Sequence, residues 1–170
     1  MSIETLIETW KDVRDGVIAE VSKIPADKFD FKAAPDTRSV AEIVQHIIAA
    51  QALLVGEMCR PDTNLGRAPF TEMVKQYAPE AISSAEKDVL LGLLASGQEA
   101  AAEKIRAFGE EGLREETRRF DGKKTTKLGL LQFSYSHEMY HRGQLAVYER
   151  LMNIEPALTT RFKEFLAARS

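Results

Sequence analysis

The residues with the clearest chemical potential are the three histidines of this 170-residue chain. His137 and His141 lie four residues apart in the stretch SHEMYHRGQ, and His46 lies far upstream in VQHIIAA. Two imidazoles one helical turn apart can bind the same metal ion. The stretch also contains His-Glu-x-x-His, the signature of zinc peptidases, in which Glu138 would be the general base. The sequence therefore raises two hypotheses, a peptidase and some other metal chemistry.

Helical geometry indicates where these side chains point. At about 100° per residue, several residues of mostly core type fall within about 40° of His137, namely Leu130, Phe133, His141, Gln144, Tyr148 and Leu151. On its own helix His46 falls near Ile43, Ala50 and Leu53, and the small Ala49 and Ala50 leave room beside it. We therefore predict that His46, His137 and His141 face the interior and bind one metal ion, with a fourth position open to water.

The glutamate of the motif has a competing interpretation. Glu138 is rotated by about 100° from His137, and Arg142 follows it by four residues, in the favourable order for an ion pair along a helix. This spacing favours an outer-face Glu138–Arg142 pair over a general base. No histidine follows His141 as a third peptidase ligand, so the peptidase hypothesis is disfavoured.

Other polar residues are candidates for a pocket or for the shell around the ion. Gln144 and Tyr148 share the predicted inner face of His137, and Tyr140 lies beside His141. A buried amide such as Gln144 needs hydrogen-bond partners, which a ligating imidazole could provide. The catalytic candidates are therefore Gln144, Tyr148 and Glu138.

Three further residues near His46 in the chain are weaker candidates. Cys59 is rotated by about 220° from His46, so we expect it to pack at the core or its boundary rather than bind the ion. Glu42 has the spacing of a capping box with Ser39, although it could also contact an imidazole. Glu57 shares the face of His46 but lies three turns away.

Five helical patterns position these residues. Apolar residues recur at three- and four-residue steps from about Ser2 to Ser22, from Ser39 to a stop before Pro61, from about Ser84 to Phe108, from about Leu128 to Asn153 and from about Ala157 to Ala168. A long connection, Arg60 to about Ser83, joins the second and third helices. The alternating charges from Arg114 to Lys127 are typical of a solvated loop, and no convincing strand pattern lies between the helices. We predict an all-α, single-domain four-helix bundle over residues 1–170, with a long crossover between helices 2 and 3 and a short C-terminal helix.

Composition excludes several classes of protein. The chain is 44% hydrophobic and 29% charged, as expected for a globular protein, and its net charge of −3 gives no reason to expect a nucleic-acid partner. Its single cysteine cannot form an internal disulfide. No apolar run approaches the ~20 residues that span a bilayer. We therefore expect a cytoplasmic protein with no membrane partner.

Two segments resemble a known family. TRSVAEIVQHIIAAQ resembles the start of the second helix of DinB-like proteins, with Arg38, Ser39 and His46 in register. HEMYHRGQLAVYERLMNIEP resembles the fourth-helix motif of that family, a His-x-x-x-His followed by Arg-Gly-Gln. The resemblance spans approximately Ile3 to Pro156 and concerns a family distinct from the DNA polymerase of the same name. It implies a four-helix bundle whose three-histidine site matches His46, His137 and His141.

The resemblance also implies a function. Members of the family are similar to metal-dependent hydrolases or to thiol-dependent transferases and isomerases, with zinc, nickel, iron or manganese as the ion. It therefore implies a small-molecule substrate, a low-molecular-weight thiol as a candidate cosubstrate, and a homodimer. The alternative is a non-catalytic, stress-linked protein that binds a metal or a small ligand.

Overall fold

The computed structural model describes residues 2–169, and helices account for most of them. The helices are α1 (Ile3–Lys23), α2 (Val40–Met58), α3 (Phe70–Tyr77), α4 (Pro79–Ser83), α5 (Lys87–Gly112), α6 (Lys127–Leu151) and α7 (Ala157–Ala167), with a 3₁₀ turn at Ala26–Lys28. Two short strands, β1 (Glu116–Arg118) and β2 (Lys124–Thr126), lie between α5 and α6. The five predicted helices are therefore present, each within a few residues of its predicted bounds.

Polar caps fix the beginnings of three long helices. The Ser2 hydroxyl accepts from the Thr5 amide at the start of α1, and the Thr126 hydroxyl accepts from the Gly129 amide at the start of α6. Ser39 and Glu42 form the predicted capping box, in which the Ser39 amide donates to the Glu42 carboxylate at 2.6 Å and the Glu42 amide donates to the Ser39 hydroxyl at 3.2 Å. This cap fixes the helix that carries His46.

The four long helices form the predicted bundle in a particular arrangement. α1 and α2 each pack against both α5 and α6, so that α1 and α2 occupy opposite corners. Fully buried residues from each helix, such as Trp10, Ile47, Leu94 and Leu131, meet in the core between them. Burial of each large apolar side chain stabilises the folded state by roughly 1.5–3 kcal/mol. This core therefore holds the two histidine-bearing helices, α2 and α6, against each other.

Helix α2 is the most apolar element. By length and composition alone, Val40–Met58 is long and apolar enough to cross a membrane. From the sequence we expected no apolar run of that length. However, 72% of the segment is buried inside the protein. A core helix of a bundle passes the same test. The cytoplasmic location inferred from the sequence stays a prediction.

The crossover between α2 and α5 is more ordered than the sequence predicted. It contains α3 and α4, and α3 is fastened to α2 by the buried Glu57. The Arg67 guanidinium donates to Glu57 at 2.6 and 2.9 Å, and the Tyr77 hydroxyl donates to it at 2.6 Å. Gly56 is required here because a Cβ atom at this position would collide with the Tyr77 ring. The expected loop is therefore a docked helical segment, which brings Phe70 toward His46.

The predicted solvated loop Arg114–Lys127 is instead a β-hairpin. β1 and β2 pair antiparallel, with Thr117 opposite Thr125, and Gly122 makes the turn with φ of +76°. The Thr117 side chain is buried and donates to the Thr63 carbonyl at 2.8 Å. A three-residue strand is too short for a clear alternating pattern, which explains why the sequence did not reveal it. The hairpin fixes the loop that follows α2.

Candidate metal centre

The inner face of α6 is rotated from the one predicted. Phe133 and Leu151, which were expected inside, are 44% and 55% exposed, and His137 is half-buried. Buried positions lie instead seven and four residues before Glu138 and three and seven residues after it, at Leu131, Ser134, His141 and Leu145. The buried stripe of α6 is thus centred near Glu138. His137 and His141 lie along one edge of this stripe.

The structure brings the three histidines together. His137 Nε2 lies 3.0 Å from His46 Nε2 and 3.1 Å from His141 Nε2, and the three ligand atoms all lie within 4.8 Å of one another. Hydrogen bonds cannot satisfy all three nitrogens at once, because a neutral His137 carries at most one proton on Nε2. The cluster therefore presents nitrogen lone pairs to a common centre.

This donor set fits a divalent transition ion. Two nitrogens that each lie about 2.1 Å from one ion are about 3.0–3.4 Å apart when the angle between them is about 90–109°. Both short nitrogen–nitrogen separations fall in this range. Imidazole is a ligand for zinc, nickel and iron alike, so the residues fit the cofactor class without selecting one metal.

The electrostatics keep the imidazoles neutral, as metal ligands must be. Burial, followed by the Arg38 guanidinium and His141, lowers the pKa of His46 to about 4. Burial, followed by its two histidine neighbours and Arg38, lowers the pKa of His137 to about 3. Burial also lowers the pKa of His141, against the opposing effect of its hydrogen bond to Gln144.

Gln144 orients one of the three imidazoles. Its Oε1 lies 2.6 Å from His141 Nδ1 and accepts the proton there, which leaves the Nε2 lone pair of His141 for the cluster. The Gln144 amide donates in turn to the Tyr140 hydroxyl at 3.3 Å. Tyr140 is 63% exposed, and its ring lies edge-on to His141. Gln144 thus has the supporting position that the sequence suggested for it.

Tyr148 lies next to the site without entering it. Its ring is buried against Phe31, and its hydroxyl donates to the Arg38 carbonyl at 2.9 Å. It therefore fixes the backbone just before α2 rather than a reacting group.

Glu138 is placed differently from both sequence hypotheses. It is 1% exposed, and it accepts from Trp10 Nε1 at 2.7 Å and from the Arg14 guanidinium at 2.6 and 2.9 Å. The predicted pair with Arg142 is wrong, since Arg142 contacts Glu20 instead, at 3.3 Å. The carboxylate is fully engaged by α1, so it is not positioned as a general base.

Arg14 extends this contact into a network across the bundle. Its guanidinium also donates to Gln51 Oε1 at 2.8 Å and to the Leu94 carbonyl at 3.0 Å. Gln51 donates to Gln98 at 3.1 Å. All four long helices are therefore joined by polar contacts in the core, which sequence reasoning missed. The available signal was the placement of Arg14 on the apolar stripe of α1, between Trp10 and Val17.

The remaining candidates are remote from the cluster or engaged elsewhere. Cys59 is exposed at the end of α2, which corrects the expectation of core or boundary packing. Glu42 is engaged in the capping box and in an ion pair with Lys32 at 3.2 Å. Glu57 is bound by Arg67 and Tyr77. Within residues 2–169, no carboxylate or thiol joins the three histidines as a further ligand.

Exposed aromatic side chains border the cluster, and of these the sequence had placed only Phe133 on the face of His137. The Phe70 ring lies 5.9 Å from His46 and 6.2 Å from Phe120 of the hairpin, and the Phe133 ring lies 6.0 Å from His137. All three phenylalanines are between 38% and 45% exposed. They give the cluster an apolar, solvent-accessible border, which is typical of a small-molecule site.

Comparison with known proteins identifies the family. The sequence profile of the DinB family matches residues 1–169. This protein belongs to the DinB family. The resemblance seen in the two histidine segments is thereby confirmed over almost the whole chain.

Several relatives share sequence or fold with this DinB protein. YjoA of Bacillus subtilis (strain 168) is 29% identical over 136 residues, which cover 76% of this chain and 77% of YjoA. Its crystal structure, described as a DinB-like protein, matches with a TM-score of 0.66 at 26% identity, covering 88% and 92% of the two chains.

Two structures with lower identity share the fold. YfiT from Bacillus subtilis, described as "a probable metal-dependent hydrolase with an unusual four-helix bundle topology", matches with a TM-score of 0.66 at 14% identity, covering 90% of this chain and 89% of YfiT. A mycothiol-dependent maleylpyruvate isomerase matches with a TM-score of 0.68 at 13% identity, covering 85% of this chain and 61% of the isomerase. The four-helix bundle is therefore common to chains with different chemical descriptions.

Proposed function

We propose that this DinB protein is a metal-dependent enzyme that acts on a small molecule, with His46, His137 and His141 as the ligands of a divalent transition ion. The observation that carries the proposal is the convergence of three Nε2 atoms, at 3.0 and 3.1 Å, from two helices whose residues lie far apart in the chain. Three protein ligands and one open position are the arrangement of catalytic rather than structural zinc-type sites.

The chain supplies the conditions for such chemistry. A bound ion would lower the pKa of water or of a thiol, so that a nucleophile exists near neutral pH. Gln144 holds His141 in the tautomer that offers Nε2, and burial keeps the imidazoles unprotonated. The aromatic rings from Phe70 to Phe133 give the site an apolar border for the body of a small molecule.

Hydrolysis and thiol transfer are the two reactions that this arrangement supports. The description of YfiT favours hydrolysis, and the mycothiol-dependent isomerase favours a low-molecular-weight thiol as cosubstrate. An open fourth position accommodates either nucleophile. Turnover of ester and electrophilic probe substrates, with and without added cysteine, separates them, because a hydrolase needs no thiol.

The ligand assignment is tested by metal content. His137→Ala should lose stoichiometric zinc, nickel, iron or manganese in elemental analysis, while the exposed neighbour variant Met139→Ala should keep it. An unchanged metal content in His137→Ala would overturn the proposal. A site that binds metal and yet supports neither reaction would favour the alternative of a non-catalytic metal- or ligand-binding protein.

A zinc peptidase is not supported. Its general base would be Glu138, and this carboxylate is bound by Arg14 and Trp10 inside the core. Glu138→Ala would therefore act through stability rather than through a proton transfer.

We also propose a homodimer, the assembly implied by the family resemblance. Large apolar side chains remain exposed along the C-terminal part of α6 and along α7, namely Val147, Leu151, Leu158, Phe162 and Phe165. Exposed apolar surface of this kind marks interaction sites. Sedimentation velocity would show a dimer if a second copy covers this face, and a monomer at micromolar concentration would contradict it.

A further inference from the structure

Arg38 is a cation beside the histidine cluster, with which it shares a recess. Its backbone is fixed from two sides, because its carbonyl accepts from Tyr148 and the next residue, Ser39, caps α2. Its side chain is exposed and makes no hydrogen bond or ion pair with any of residues 2–169. A fixed backbone with a free guanidinium leaves all five donors of the group available to a ligand.

The surroundings do not neutralise this charge. Glu42 lies on the same wall, but its carboxylate already accepts from the Ser39 amide and pairs with Lys32. The wall therefore carries an uncompensated positive charge, to which a bound divalent ion would add.

A recess of about 240 Å³ joins Arg38 to His46. Its other lining residues are largely apolar and include Ala49, Phe70, Val74 and Ile82. Phe70 and Ile82 are 38% and 45% exposed, although both lie beside a polar site. This volume lies below the ~300 Å³ at which drug-sized ligand sites begin, so the recess suits a small molecule rather than a peptide.

We propose that the molecule bound at this site is a small organic anion, whose carboxylate is held by Arg38 while its apolar body lies against Phe70, Val74 and Ile82. The inference rests on the proposed function, because the reacting group of this ligand, a thiol or a scissile bond, would lie at the three histidines. Arg38 would then select substrates or thiol cosubstrates by charge. Arginine suits this role because its planar fork matches a carboxylate with two parallel hydrogen bonds.

The test uses two thiols that differ in charge alone. Protein loaded with cobalt(II) is titrated with 3-mercaptopropionate and with its neutral amide, 3-mercaptopropionamide, and thiolate binding is followed by the charge-transfer absorption of cobalt. Wild type should bind the acid about tenfold more tightly, as expected for one charge-assisted contact. Arg38→Gln should abolish the preference by weakening binding of the acid alone, and Arg38→Lys should retain part of it.

Lys28→Gln is the control, because it removes an exposed positive charge that does not line the recess. It should leave the preference for the acid within about twofold of wild type. Melting temperatures of all three variants should match wild type, since neither the Arg38 nor the Lys28 side chain forms a hydrogen bond or ion pair with a described residue.

The outcomes separate this inference from the proposed function. Equal binding of both thiols by wild type would overturn the role of Arg38 while leaving the metal site intact. A preference that survives in Arg38→Gln would also overturn it, since the carboxylate would then be bound by the cobalt ion.

If cobalt does not bind, the proposed function fails, and the metal-free protein tests Arg38 by itself. Calorimetric titration would then compare 3-phenylpropionate with 3-phenylpropionamide in wild type and in Arg38→Gln. A preference for the acid that depends on Arg38 would support the anion site, and no preference would overturn it.

Discussion

His137 and Glu138 are neighbours in the chain, yet they belong to two different polar regions. His137 joins His46 and His141 in a half-buried cluster that is bordered by exposed aromatic rings. Glu138 faces about 100° away and is fully engaged with Trp10 and Arg14 in the core. In the first region polar atoms are left for a ligand, whereas in the second the carboxylate is satisfied by the protein itself.

The difference shows how a bundle separates stability from chemistry on one helix. The Glu138–Arg14 network joins α1, α2, α5 and α6, and it therefore fixes how the four helices are rotated relative to one another. The histidine cluster uses that fixed rotation, because two of its members come from α6 and one from α2. Histidines on helices that rotated freely could not hold three nitrogens in one place.

The largest expected effect comes from alanine substitution along residues 137–139. Glu138→Ala leaves Arg14 buried without its charged partner, so we expect a loss of about 3–5 kcal/mol in the free energy of unfolding. His137→Ala and the exposed control Met139→Ala should each remain within about 1 kcal/mol of wild type when the protein is metal-free. Urea denaturation of the three variants measures this. A Glu138→Ala protein as stable as Met139→Ala would remove the distinction between the two regions.

Glu149 is another buried carboxyl group of α6, and its effect on stability should be of intermediate size. Glu149 is fully buried, its carboxyl oxygens have no hydrogen-bond partner among the described residues, and it faces Glu20, which caps α7. Burial, with the neighbouring Glu20 carboxylate, raises the pKa of Glu149 from 4.5 to about 8. Unlike Glu138, it has no buried cation to stabilise its charge.

Stability should therefore depend on pH through Glu149. The folded state binds its proton more tightly than the unfolded chain, so this contribution is complete below about pH 4.5 and is lost as the pH rises through about 8. The loss is on the order of a few kcal/mol. Urea denaturation at pH 6 and pH 9 should show that the free energy of unfolding of wild type falls between the two pH values. The free energy of unfolding of Glu149→Gln should change less. An equal change in the free energy of unfolding in both proteins would contradict the role of Glu149 in the pH dependence.

The smallest expected effect concerns the support of one ligand. Gln144→Leu removes the acceptor that fixes the tautomer of His141, so metal affinity should fall about 10–100-fold while the fold is retained. Gln132→Leu, at an exposed position of the same helix, is the control and should bind metal like wild type. Competition with a chromophoric chelator measures both. Equal affinities would show that Gln144 does not support the site.

The sequence predicted the bundle and the histidine cluster because both leave strong local patterns. The capping box at Ser39, the apolar stripes and the i,i+4 histidines are each readable within a few turns of helix. The two histidine segments were linked first by the predicted inward direction of all three rings, and family resemblance then supported that link.

The errors have a common physical cause, namely contacts between residues far apart in the chain. The Arg14–Glu138 pair spans 124 positions, whereas the predicted Arg142 partner was the local choice. The rotation of α6 follows from that distant pair, which explains why Phe133 and Leu151 are exposed. The hairpin and α3 were missed because Thr117 and Tyr77 gain their partners only after folding.

The central claim is that His46, His137 and His141 share one metal ion. Anomalous diffraction at the zinc edge, from crystals of the zinc-loaded protein, tests it most directly. We predict one peak about 2.1 Å from each of the three Nε2 atoms. Zinc bound at other residues, or a zinc-loaded crystal with no peak between these imidazoles, would contradict the account.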